Sequence, residues 1–115
     1  MVRCFDDIVS AAPLMEGMRA DDLQPGDWVI VRTKNSTYIL RANADGTFDA
    51  EGGWFTRERA SGLGLRIAGC TWGGSVLLTR MIAAPGMFLE FGNRVRTTRI
   101  REVRCLRQMA ALTIH

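Results

Sequence analysis

Apolar residues recur along this chain at two different spacings. Near the start, Phe5, Ile8, Val9 and Ala12 fall at i, i+3, i+4 and i+7, one face of a short helix that Pro13 ends. Beyond Pro25 the spacing shortens to that of strands. Runs rich in β-branched and aromatic residues alternate with turn residues, the pattern of a sandwich or barrel. DWVIVRT (27–33) and STYILRA (36–42) flank Lys34-Asn35, Asp45-Gly46 marks a second turn, and TFDA (47–50) and GWFT (53–56) follow around Gly52-Gly53. LRIAGCT (65–71) and SVLLTRMIAA (75–84) are joined through Trp72-Gly73-Gly74, while MFLEF (87–91) and RVRTT (94–98) are joined through Gly92-Asn93, read as a two-residue type II′ turn.

At the end, Ile100, Val103 and Leu106 recur every third residue. That spacing suits a turn running into a last strand, the preferred reading, or a short basic helix. Several runs are apolar on both sides: Val29 and Val31 oppose Trp28 and Ile30. Such strands are expected to be covered twice, by the N-terminal helix, by the far wall of a barrel or by another subunit.

The fold class expected is therefore mainly β: a small antiparallel barrel or rolled sheet, with an SH3-like barrel as one form, and a short N-terminal helix. Residues 1–24 form a helical segment and lead-in, and residues 25–115 the β domain. At 115 residues the chain is long enough for one core without staples, and its 47% hydrophobic and 23% charged composition is that of a globular domain.

MVRCFDDIVSAAP places two aspartates where a signal peptide needs a basic head, and no run approaches the ~20 apolar residues of a membrane-spanning helix. Cys4, Cys70 and Cys105 are odd in number and lack CxxC spacing, which suits reduced thiols. A cytoplasmic protein without a membrane contact is the expectation.

Charge changes this picture. Residues 1–58 carry ten acids against six bases, whereas residues 59–115 carry two acids against nine bases. Six arginines (Arg94, Arg96, Arg99, Arg101, Arg104 and Arg107) fall within fourteen residues that include one acid, Glu102. Arginine forks onto phosphate and carboxylate and stacks on flat rings. The cluster thus suits nucleic acid, an acidic protein partner or the acidic half of a sister subunit; the alternative is a solvated strand face balanced by the domain's own acids.

TKNSTYIL (33–40), GGWF (52–55), GCTWGGS (69–75), LEFGNRV (89–95) and TTRIREV (97–103) together resemble, in matching order, a group of small uncharacterised bacterial β-rich proteins. The resemblance implies no activity and carries no functional residue. DLQPGDWV also resembles the first strand of SH3-like barrels.

Candidate chemistry is sparse. GCTWGGS lacks the lysine and following helix of a phosphate loop, and Ser75 lacks the later glycine of a nucleophile elbow, so the stretch reads as a turn between strands. Cys70 as a nucleophile would need a base, yet the sole histidine is His115; a buried strand residue is the simpler reading. NADGTFDAE fails the calcium-loop pattern at both ends, with Arg41 and Gly52 at ligand positions. Asp6-Asp7 and Asp21-Asp22 lack other ligands at metal spacing, and Asp27, Asp49, Glu51 and Glu90 have no spacing that pairs them across a cleft. No cofactor or metal motif is found.

The function expected is a non-enzymatic interaction or regulatory module, self-associating, whose contact surface uses Trp54 or Trp72 with Arg94, Arg96, Arg99, Arg101 and Arg104. The alternative is single-stranded nucleic-acid binding, with the arginines as a basic groove and the tryptophans as stacking rings.

Overall fold

The structure, a computed structural model, describes residues 14–73 and 76–107. The helix expected over Phe5 to Ala12 lies outside these residues, as do Cys4, Gly74, Ser75 and residues 108–115.

The described residues are mainly β, and their strands pair antiparallel throughout. The strands are β1 (Leu14–Met15), β2 (Met18–Arg19), β3 (Trp28–Thr33), β4 (Thr37–Ala42), β5 (Phe48–Gly52), β6 (Ile67–Thr71), β7 (Met81–Ala83), β8 (Phe88–Phe91) and β9 (Ile100–Leu106). One short helix, α1 (Gly53–Arg57), follows β5. The main sheet has the order β1-β9-β3-β4-β5, and β2–β7 and β6–β8 form two separate ribbons. Its two ends do not meet, so the described residues form no closed barrel.

Alternation sets the faces. Val29 and Val31 of β3 register with Leu40 and Tyr38 of β4 and with Cys105 and Val103 of β9, and all six are buried. This inner face packs with Cys70, Ile82, Ala83, Leu89 and Phe91 from the ribbons, and with Phe55 of α1. On the other face, Ile30 lies between Ile39 and Arg104 in register and is only 4% exposed, outside the main core cluster. Ile30 is thus buried on the face opposite Val29 and Val31, while Trp28 is half-buried and Arg32 exposed.

Local chemistry fixes the start of β3. Gln24-Pro25-Gly26-Asp27 closes as a turn in which the Asp27 amide donates to the Gln24 carbonyl (3.0 Å), and Gly26 supplies the positive φ of +91° that the third position of a type II turn needs. The Asp27 carboxylate in turn accepts from the Gln24 amide (2.9 Å).

The lead-in is stitched into the domain earlier than Pro25. Leu14 and Met15 pair with β9, and Met18 is fully buried in the core.

Three elements differ from expectation. GWFT is the helix α1 rather than a strand, because two glycines turn the chain over a tyrosine ring, as described below. SVLLTRMIAA contributes only Met81–Ala83 to a ribbon, with Leu78 making a single bridge to Cys70 and Val76 exposed. RVRTT contributes one bridge, Glu90 to Arg96. The turn before it is also different: the Arg94 amide donates to the Phe91 carbonyl (2.9 Å), and the positive φ falls on Arg94 (+70°) rather than on Gly92. That is a three-residue connection with a left-handed third residue.

The last segment is a strand. Its helix-like spacing comes from a bulge: Arg32 registers with Glu102 and Thr33 with Ile100, so Arg101 has no opposite residue. The extra residue lets Ile100 and Val103 both point into the core three positions apart.

Candidate functional site

Two places gather the residues that the sequence singled out. The first surrounds Trp72. Thr71 ends β6 buried and accepts the Gly73 amide on its hydroxyl (3.1 Å), after which the chain leaves the ribbon. Trp72 is 64% exposed. Its ring lies over the backbone of Gly86, where an added Cβ would be 3.1 Å from the indole Cζ3. The Gly86 carbonyl accepts from Arg99 Nη1, and the Arg99 guanidinium stacks 4.6 Å from the centroid of Phe88. Arg99 is thereby fixed on the same glycine that the indole covers, with no carboxylate within 4.0 Å among the described residues. Val76 and Leu78, 72% and 41% exposed, add apolar surface on the segment that follows Trp72.

The second place is a hollow of about 520 Å³ where the β3–β4 loop, α1 and the loop before β9 meet. Its lining includes Asn35, Ser36, Tyr38, Trp54, Arg57 and Arg96, with Thr97 and Thr98 completing it. Gly52 and Gly53 make the helix start possible. At Gly52 (φ +90°) a methyl would sink into the Thr37 carbonyl, and at Gly53 (φ +48°) into the Tyr38 ring. With that close approach, the Trp54 amide donates to the Tyr38 hydroxyl (3.1 Å). Trp54 is half-buried, set edge-on against Phe55 at 5.3 Å, and packs on the core rather than standing free. Arg57 Nη1 donates to Ser36 Oγ (2.8 Å), while Arg96 sends Nε and Nη2 to Glu90 Oε1 (3.3 and 2.9 Å).

The arginine cluster does not stay together in space. Arg96 is held by Glu90, Arg104 by Glu102 (3.4 Å) and Arg107 by Asp27 (2.7 Å). Arg94 is exposed at the turn tip, Arg101 is exposed at the bulge, and Arg99 lies with Trp72. Part of the charge asymmetry along the sequence is therefore neutralised within the fold, since Asp27–Arg107 and Asp21–Arg80 join its acidic and basic halves.

Cys70, Asp45 and Asp49 have structural partners. Cys70 is fully buried, its thiol donates to the Ile82 carbonyl (3.3 Å), and burial pushes its pKa up to about 12. Asp45 is held below the usual carboxylate value by hydrogen bonds from the Thr47 hydroxyl and amide, and Asp49 by those from the Asn43 side chain and the Gly64 amide. NADGTFDAE is thus a hydrogen-bonded hairpin turn. Among the described residues no group of three or more metal-ligating side chains comes together. No helix there is long and apolar enough to cross a membrane.

Tyr38, Arg57, Gly86 and Phe88 were not singled out by the sequence. No local signal marks them, because each acquires its place through a contact with a residue distant in the chain or through a turn that only the fold defines.

No protein-family model matches the chain, and no curated protein or solved structure is similar to it.

Proposed function

We propose that this domain is a non-enzymatic interaction module that self-associates through the surface centred on Trp72. One observation carries the reading: Trp72 is left 64% exposed, where Trp28 and Trp54 are half-buried, and is laid over bare backbone at Gly86. The residues that dominate protein contacts are enriched in tryptophan, tyrosine and arginine, and here Arg99 is fixed on the same glycine that the indole covers. The exposed Val76 and Leu78 extend the patch. Complementary charge lies elsewhere on the same molecule, where the exposed Glu51 and Glu58 have no ion-pair partner among the described residues. A second copy can therefore offer carboxylates to Arg99 while covering Trp72.

Sedimentation velocity at micromolar concentration and physiological salt tests this. The account expects a concentration-dependent dimer or larger species that Trp72→Ala shifts to monomer and Trp54→Phe does not. A wild-type protein that stays monomeric defeats self-association.

Single-stranded nucleic-acid binding is the weaker reading. A groove that tracks a backbone needs its arginines on one surface, whereas Arg96, Arg104 and Arg107 each hold a carboxylate. An oligonucleotide titration at low salt that showed salt-sensitive binding would favour it instead.

A further inference from the structure

The hollow beside Trp54 is built from donors. Its lining has two guanidinium groups, an amide, hydroxyls and an indole, and no carboxylate. Glu90, which pairs with Arg96, is not part of that lining. We propose that this hollow binds a small organic anion, its carboxylate or phosphate held between Arg57 and Arg96 and its apolar body against Trp54.

Three observations support the assignment. Arg57 has one partner, the neutral Ser36 hydroxyl, so its charge is uncompensated by any carboxylate within 4.0 Å among the described residues. Arg96 commits Nε and Nη2 to a single oxygen of Glu90, which leaves Nη1 for another acceptor. Tyr38, only 3% exposed, accepts the Trp54 amide on its hydroxyl, and its own O–H proton has no acceptor among the described residues.

Tyr38 lines the hollow, and its hydroxyl can donate to an oxyanion bound there. Forked guanidinium groups suit carboxylate and phosphate oxygens, and charge-assisted bonds of this kind are roughly twice as strong as neutral ones. The volume, about 520 Å³, is within the ~300–1,000 Å³ typical of small-molecule sites. Trp54 gives the hollow an apolar wall, so the ligand needs a body as well as a charge.

The hollow shares no lining residue with the Trp72 surface, and the two can fail independently. The test uses the full chain labelled with ¹⁵N, titrated at fixed ionic strength with benzoate, phenyl phosphate and inorganic phosphate. The Trp54 indole and the Arg57 and Arg96 Nε–H signals are followed. The proposal expects saturable shifts at all three with benzoate or phenyl phosphate, and the stronger of those two identifies the preferred head group. Inorganic phosphate is expected to move the arginine signals more than the indole.

Arg57→Gln and Arg96→Gln should each weaken binding roughly tenfold or more, the size of one charge-assisted hydrogen bond, with unfolding temperatures measured alongside. Arg94→Gln, outside the hollow, should leave it unchanged, and so should Trp72→Ala. Absence of a saturable Trp54 shift with either aromatic anion at millimolar concentration overturns the proposal. So does an affinity that Arg57→Gln leaves intact, or one that Arg94→Gln weakens as much as Arg57→Gln.

Discussion

The Trp54 amide donates to the Tyr38 hydroxyl across 3.1 Å, joining residues sixteen positions apart. This one bond anchors the first turn of α1 on β4, and the Tyr38 ring beneath it leaves no room for a side chain at position 53. Gly53→Ala is accordingly expected to destabilise the fold by about 3 kcal/mol, the upper range for forcing a side chain into strained backbone. Tyr38→Phe, which removes only the acceptor, should cost about 1 kcal/mol. Urea unfolding of the two variants checks the order; equal losses would mean that the ring contact is not what fixes the helix.

Arg107 closes β9 onto the turn that begins β3. Its Nη1 donates to Asp27 Oδ2 and to the Asp22 carbonyl, both at 2.7 Å, and Asp27 is 3% exposed. Asp27→Ala strands the Gln24 amide and leaves Arg107, half exposed, with the Asp22 carbonyl, for an expected loss of about 1–2 kcal/mol. Asp27→Asn keeps an acceptor and should lose less. Thermal unfolding of the pair reads the difference.

Acid should weaken the β4–β5 hairpin. The Asp45 and Asp49 carboxyls have folded pKa values below their usual 3.8, through the hydrogen bonds from Thr47 and from Asn43 and Gly64. A depressed folded pKa means that the unfolded chain binds the proton first. The stabilisation is therefore complete above about pH 5 and is lost as pH falls through the depressed values. Denaturant midpoints should decline over that acid range, and Asp49→Asn should flatten the decline. A profile unchanged by the substitution would show that Asp49 contributes nothing to it.

Cys70 should behave as an inert thiol. A shift from 9.0 to about 12 lowers the thiolate fraction near neutral pH roughly a thousandfold, and the sulfur has no access to solvent. Alkylation followed by peptide mapping should label Cys70 only as fast as the protein unfolds, with urea accelerating it. Rapid labelling in the native protein would reopen the reading of GCTWGGS as a reactive stretch.

The two central strands β3 and β4 are legible in the sequence. Trp28–Thr33 and Thr37–Ala42 are found within a residue or two of the runs DWVIVRT and STYILRA, because their inner positions fill one core and their turns use ordinary turn chemistry. The bulge at Arg101 disguised β9, since one unpaired residue converts a spacing of two into a spacing of three. α1 has five residues, too few to display a helical period, and its cause is a tyrosine ring from another strand. β1 and β2 have two residues each and no pattern at all.

The candidate sites were legible only in part. Exposure divides the two tryptophans, and sequence carries no exposure signal: Trp72 stands out at 64%, while Trp54 rests against Phe55. Arg96 and Trp54 do line one hollow, but Tyr38 and Arg57, which give it its chemistry, come from other elements. In the sequence the arginine cluster suggests one surface because its members are neighbours there. A twisted strand with a bulge and a turn distributes them over several surfaces, and three find carboxylates there.

The most direct measurement of the Trp72 surface is ¹⁹F NMR of protein labelled with 5-fluorotryptophan, in which Trp28, Trp54 and Trp72 each give one assignable line. As protein concentration rises through the micromolar range, the Trp72 line should move or broaden while the Trp54 line stays fixed. A Trp72 line that is independent of concentration, in a protein that nevertheless associates, would place the contact elsewhere and contradict the account.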